Sequence, residues 1–250
     1  MASATSKSGE HKVVGHEEWI AARKELLRKE KEFTRLRDEL TSQRHAMPWE
    51  KVEKNYVFEG SAGRESLADL FGGRGQLAIY HFMLGPGWRE GCPSCSFIAD
   101  HFDGMVAHLA ARDIALTAVS RATLPEIEAF KKRMGWRFKW VSSNASDFNQ
   151  DYQVSKSKEE AAGNGPVYYN YMMQEFPSEE RPGASFFIKD TAGHIFHTYS
   201  TYSRGLDILI GAYNWIDMVP KGRNEVGLAH GMAWVRHHDR YVDSRISDPK

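Results

Sequence analysis

Cysteine is almost missing from this sequence, which carries only Cys92 and Cys95 among 250 residues. In a reducing cytoplasm, the address expected of a chain without a signal-type segment, two cysteines are not a structural disulfide staple. An excess of one charge is missing too, with Lys plus Arg and Asp plus Glu at 33 each. That balance gives no electrostatic footprint for nucleic acid or for an anionic membrane surface. No apolar run approaches a membrane span, and the opening MASATSKSGEHKVV lacks a signal-type apolar core. Also absent are GxSxG, a phosphate loop, GxGxxG after a strand, and HExxH. Their absence weighs against hydrolase, nucleotidyl and dehydrogenase chemistry.

What is present is a packed, aromatic-rich domain, with 13 Phe, 10 Tyr and 7 Trp. Residues 1–15 read as a tail and 16–47 as an amphipathic helix, in which Trp19, Leu26, Phe33 and Leu40 recur every seven residues. Such a stripe packs on its own domain or on a second copy, so a homodimer through this helix is the oligomer the sequence suggests. The main domain spans 48–218. QLAIYHFML (76–84) reads as a central buried strand, a helix follows over 93–111, and DIALTAVS (113–120) is the next strand. Together they form a right-handed βαβ crossover. TLPE (123–126) is a capping box with proline in the first turn. WRFKWVSS (136–143) is a strand or extended loop. Residues 144–183 carry little periodicity and read as an insertion or lid containing the aromatic VYYNYMM. ASFFIKDTAGHIFHTYSTY (184–202) is a hairpin, 205–218 a helix, and 219–250 a C-terminal extension.

The fold class expected is therefore α/β and thioredoxin-like, a mixed central sheet flanked by helices. The two cysteines stand three positions apart, a spacing that random placement gives about once in a hundred chains of this length. They sit where the central strand hands over to the crossover helix. At that place Cys92 would meet N–H groups without intrahelical partners, which favour the thiolate, and Cys95 would lie one turn deeper. The expected roles are Cys92 as attacking thiolate and Cys95 as resolving thiol, with His81 as a proton shuttle. Trp88, Pro93, Ser94, Phe97 and Tyr199 are the candidate substrate-binding residues. No cofactor is required; the partners are a disulfide or small-molecule substrate and a recycling reductant. Two alternatives stand beside this reading. One is a copper or zinc protein using Cys92, Cys95 and a histidine, His197 foremost among His81, His101, His108, His194, His197, His237 and His238. The other is a peroxidase with Cys92 as the peroxide-reacting thiol.

The stretches MPWEKVEKNYVFEG, YHFML, GCPSCSF, VSRATLPEIEAFKKRMGWRFKWVSS, FHTYSTYSRGLDIL and WVRHHDRY together resemble the thioredoxin-like domain-of-unknown-function family 899. Its members are often labelled predicted dithiol–disulfide oxidoreductases. The resemblance runs from about Glu17 to Tyr241 and implies a thioredoxin-like fold with Cys92 and Cys95 as the redox pair. Unlike ordinary thioredoxins, this chain has Gly91 rather than tryptophan before the first cysteine. It also has Pro93-Ser94 between the two cysteines and His81 in place of a buried aspartate on the preceding strand.

Overall fold

The computed structural model describes residues 11–241 apart from 158–159, 161–162 and 164. The expected tail and C-terminal extension thus lie partly outside the described residues. The chain divides after Pro48 into two units. The first holds one helix, α1 (His16–His45), with Glu17 and Glu18 in its first turn and Arg44 and His45 in its last. Each sign opposes the helix dipole. Within it Arg28 pairs with Glu25 and Glu32, contacts worth a few tenths of a kcal/mol each.

The second unit is built on a mixed sheet. Its strands are β1 (Glu50–Lys51), β2 (Val57–Gly60), β3 (Gly63–Ser66), β4 (Gln76–His81), β5 (Ile114–Ser120), β6 (Lys139–Ser142), β9 (Gly183–Lys189) and β10 (Ile195–Tyr202). A separate hairpin pairs β7 (Val167–Tyr169) with β8 (Met172–Gln174). The sheet order is β1-β10-β9-β4-β5-β6-β2-β3. Strand β4 runs parallel to β5, β5 runs parallel to β6, and β9 and β10 are antiparallel beside β4. A βαβ crossover flanked by an antiparallel hairpin in one sheet is the thioredoxin-like arrangement. Short helix α2 (Leu67–Leu70) precedes β4, and the crossover from β4 to β5 carries α3 (Pro93–Ala99) and α4 (Phe102–Ala110). Helix α5 (Leu124–Arg133) links β5 to β6, α6 (Phe148–Asp151) follows β6, and α7 (Gly211–Ile216) follows the hairpin.

Three elements depart from the sequence reading. The crossover helix is broken at Asp100–His101, where His101 N–H bonds back only three residues, to Ile98. There the Asp100 carboxylate accepts from the Trp136 indole, and the His101 ring accepts from Ala212 N–H. The expected helix at 205–218 is a 3₁₀ segment (Ser203–Leu209) followed by α7, with Ile210 extended between them. Gly211 lies against the same imidazole, 3.0 Å from where a Cβ would stand. The region read as a structureless insertion contains α6 and the β7–β8 hairpin. Asn170 and Tyr171, both at positive φ, form its two-residue turn, the conformation that matches the twist of paired strands.

Alternation along β4 assigns the two sides of the sheet. Leu77 and Ile79 enter a core with Phe58, Val119, Phe148 and Phe187. Tyr80 and the following Phe82 enter the other core, with Cys95, Phe130, Trp136 and Trp140. The first side is called the far face below, the second the cysteine face.

Candidate active site at the head of the crossover

The loop leaving β4 is folded back on itself so that its end meets its beginning. Phe82 N–H continues the ladder to Val119, and Cys92 N–H returns to the Met83 carbonyl at 3.0 Å. Gly91 makes this approach feasible, because a Cβ there would fall 2.5 Å from the Phe82 ring and 2.8 Å from the Phe130 ring. A tryptophan at this position, as in ordinary thioredoxins, has no room. At the loop's outer end Trp88 lies over Gly85, whose Cβ would stand 2.8 Å from the indole nitrogen. Gly87 N–H donates to Glu126, which ties the loop to the start of α5.

Cys92 then occupies the N-cap of α3 with Pro93 at the first helical position. It is partly exposed, whereas Cys95 is buried, and both thiols are free. Their environments push them in opposite directions. The Cys95 thiol donates to the Cys92 sulfur, with further help from the backbone N–H groups of Cys95 and Ser94 and the Ser94 hydroxyl. Despite the opposing cost of burial, the Cys92 thiol is lowered to about 6. Burial, and then the Cys92 thiolate beside it, hold the Cys95 thiol well above its ordinary value. A thiolate at one position and a protonated thiol one turn on is the division that attack and resolution require.

The C-terminal segment braces this loop. His237 is buried, and its Nε2–H donates to the Gly91 carbonyl at 2.8 Å. Its Nδ1 accepts from Arg133 Nη2 at 3.3 Å. Arg133 also binds Asp239 and Glu90, and Arg240 binds Glu90 through both terminal nitrogens. Charged groups from α5, the loop and residues 237–240 thus meet behind Cys92. Composition and spacing gave no signal for this brace beyond the unusual density of WVRHHDRY.

His81 needs correction. It follows the far-face alternation of Leu77 and Ile79 and stacks on Phe148 and Tyr152, 5.6 and 5.8 Å away. It is therefore on the opposite side of the sheet from the cysteines and does not shuttle their protons. Burial, and secondarily His197, push it down to about 3. The residue that sequence reasoning missed is its neighbour Tyr80. Tyr80 is buried in the same cluster as Cys95. Burial and then the Cys95 thiol, through its charge and a side-chain hydrogen bond, hold the Tyr80 hydroxyl well above its ordinary value, and in return Tyr80 eases ionisation of Cys95. Period-two alternation back from Phe82, the first residue after β4, was the signal that could have found it.

The other expected residues divide. Pro93 is exposed and Ser94 half-buried at the start of α3, and Trp88 packs on the cysteine-face core. Phe97 points into the domain instead, edge-on to Tyr213 and Trp234 at 5.4 and 5.6 Å. Tyr199 is on the cysteine face but two strands away from β4, stacked on Phe186. His197 faces the other way. It pairs across the ladder with Phe187 of the far-face core and bonds Ser200. The ligand set Cys92, Cys95 and His197 is therefore not assembled, because the sheet separates its members. Among the described residues no group of three or more His, Cys, Asp or Glu is arranged to hold a metal ion.

The family described as "Bacterial protein of unknown function (DUF899)" matches residues 8–241. The chain belongs to this family. No curated protein matches it. Among solved structures it is similar to peroxidoxin BcpB from Mycobacterium tuberculosis, at 12% identity and a TM-score of 0.45, covering 68% of this chain and 97% of that one. A PrxQ variant from Xylella fastidiosa is 13% identical, with a TM-score of 0.42 and coverage of 64% and 91%. A structure described as that of a thiol:disulfide interchange protein DsbE from Chlorobium tepidum is 12% identical, with a TM-score of 0.39 and coverage of 66% and 100%. The described residues contain no helix long and apolar enough to cross a membrane.

Proposed function

We propose that this family member is a thiol–disulfide oxidoreductase in which Cys92 attacks and Cys95 resolves. The observation that carries the reading is the placement of the two thiols, Cys92 partly exposed at the N-cap of α3 and Cys95 buried one turn on, and the opposite directions in which their surroundings push them agree with it. The Cys92 thiolate attacks one sulfur of a substrate disulfide, forming a mixed disulfide and releasing a thiolate that takes a proton from solvent. Cys95 then loses its proton and attacks the Cys92 sulfur. This closes the Cys92–Cys95 disulfide and expels the second substrate thiol. Two electrons pass to the substrate, and an external thiol reductant of a reducing, cytoplasmic compartment restores the pair. Ser94, which hydrogen-bonds the Cys92 sulfur, the exposed Pro93 at the first position of α3 and Trp88, packed on the same core, are the groups assigned to meet a substrate. The test is turnover of a small disulfide by the reduced protein. Cys92→Ser is expected to reduce activity to background, and full activity in that variant overturns the assignment.

A second reading follows from the partial burial of Cys92 against an apolar, aromatic core, which suits a small oxidant better than a folded protein. In that case the thiolate attacks the O–O bond of a peroxide, becomes a sulfenic acid, and releases the alcohol or water. Cys95 then condenses with the sulfenic acid, expelling water, to give the same disulfide. Adding peroxide to Cys95→Ser separates the two. Trapped sulfenate at Cys92, formed faster than reaction with a disulfide, supports the peroxidase.

A further inference from the structure

The far face carries its own cavity of about 400 Å³, lined by Tyr56, Tyr152, Tyr202, His197 and a rim that includes Glu50 and Tyr171. Behind it runs a buried chain of hydrogen bonds: His81 Nε2 to Ser185 Oγ at 2.7 Å, Ser185 Oγ to Ser200 Oγ at 2.8 Å, and Ser200 Oγ to His197 Nε2 at 2.7 Å. The direction of the chain follows from its two ends. His81 Nδ1 is buried with no partner among the described residues. A bare lone pair there costs less than a stranded N–H. At the other end His197 Nδ1 stands 3.5 Å from a Glu50 carboxylate oxygen, where an N–H is favoured over a lone pair. Both ends therefore demand donation from His81 through Ser185 and Ser200 to His197 Nε2, with His197 Nδ1–H turned to Glu50. Glu50 and His197 are direct cross-strand partners of β1 and β10, so they share the face that the cavity opens on.

The charges around the cavity are unequally committed. Lys54 is held by Asp147 and Asp151 at 3.0 and 2.7 Å, and Tyr56 donates to the same Asp151. Lys54 also lies over the Tyr56 ring at 5.6 Å, a cation on an aromatic face within this very wall. With Lys54 and Asp151 paired, the remaining charged residues of the lining are Glu50, Glu53 and Lys51, a surplus of one negative charge. Among the described residues no cation lies over the rings of Tyr152, Tyr171 or Tyr202. An anion would meet this negative surplus with the His197 N–H and the Lys54 ammonium already engaged. We propose that the cavity is a binding site for a small alkylammonium cation, with Glu50 as its counter-ion and the tyrosine rings as its walls. His197 acts as a positioning residue, its tautomer set by the serine relay. This site lies across the sheet from the thiols and does not depend on their chemistry.

Titrating the reduced protein with n-butylammonium, n-butanol and butyrate, followed by calorimetry and NMR, tests the proposal. Saturable binding of butylammonium is expected, about tenfold tighter than either comparator. Glu50→Gln and Tyr171→Ala, both at exposed side chains, are expected to weaken it by about tenfold and about threefold. Cys92 alkylation should be unchanged in both variants. Failure of butylammonium to saturate, butanol or butyrate binding as well, or indifference to both substitutions overturns the site. Nitrogen-15 shifts of the imidazoles are expected to place the proton on Nδ1 of His197 and on Nε2 of His81. The reverse pair of tautomers overturns the role given to His197.

Discussion

The two faces of one strand, β4, are used in contrasting ways. On the cysteine face, Tyr80 and Phe82 pack in the aromatic core that holds Cys95, and the Tyr80 hydroxyl meets the Cys95 thiol. On the far face, His81 is tied into a serine–histidine relay under a polar cavity. A shift of one residue in register would exchange these environments, placing an imidazole among the cysteines and a phenol in the relay. The contrast shows that a buried ionisable group near a cysteine pair in sequence need not be near it in space.

Substitutions on one face should therefore leave the chemistry of the other intact. The largest expected effect is from Phe148→Ala on the far face. Phe148 is fully buried among Tyr56, Phe58, His81 and Tyr152, and its removal should cost about 3–5 kcal/mol in denaturant unfolding. Under native conditions Cys92 should still alkylate at the wild-type rate. Gly91→Ala on the cysteine face should do the reverse. It forces a methyl into the Phe82 and Phe130 rings, costs about 1–3 kcal/mol, and displaces the N–H groups around Cys92, so the thiol midpoint rises. Smaller still is Tyr80→Phe, which removes a single oxygen beside Cys95. Attack by Cys92 should be unaffected while resolution slows by about tenfold, seen as a mixed disulfide accumulating in quenched single turnovers. If attack slows as much as resolution, Tyr80 is not specific to Cys95.

Much of this arrangement was legible in the sequence where one local rule governed. The apolar run at 76–84, the capping box at Thr123–Glu126 and the 184–202 hairpin each follow from a period or a cap, and each forms at its expected place. The cysteine pair at the head of the crossover followed from spacing joined to position. What escaped was fixed by contacts remote in sequence. The crossover helix breaks where Asp100 and His101 meet Trp136 and Ala212. The brace on Gly91 comes from His237, whereas the side taken by His81 follows from period-two alternation with Leu77 and Ile79. Phe97 stands two residues beyond Cys95 in sequence, yet its helical phase turns it toward Tyr213 and Trp234.

The most direct test is the pH dependence of Cys92 alkylation in the wild type and in His81→Gln, both with Cys95 in place and its slow reaction subtracted. A thiol lowered to about 6 gains reactivity as pH rises through that value and is level above about pH 7. The same curve is expected in His81→Gln, because the imidazole lies across the sheet. A midpoint near the ordinary thiol value of about 8.5, or one that moves when His81 is replaced, contradicts both the poise of Cys92 and the separation of the two faces.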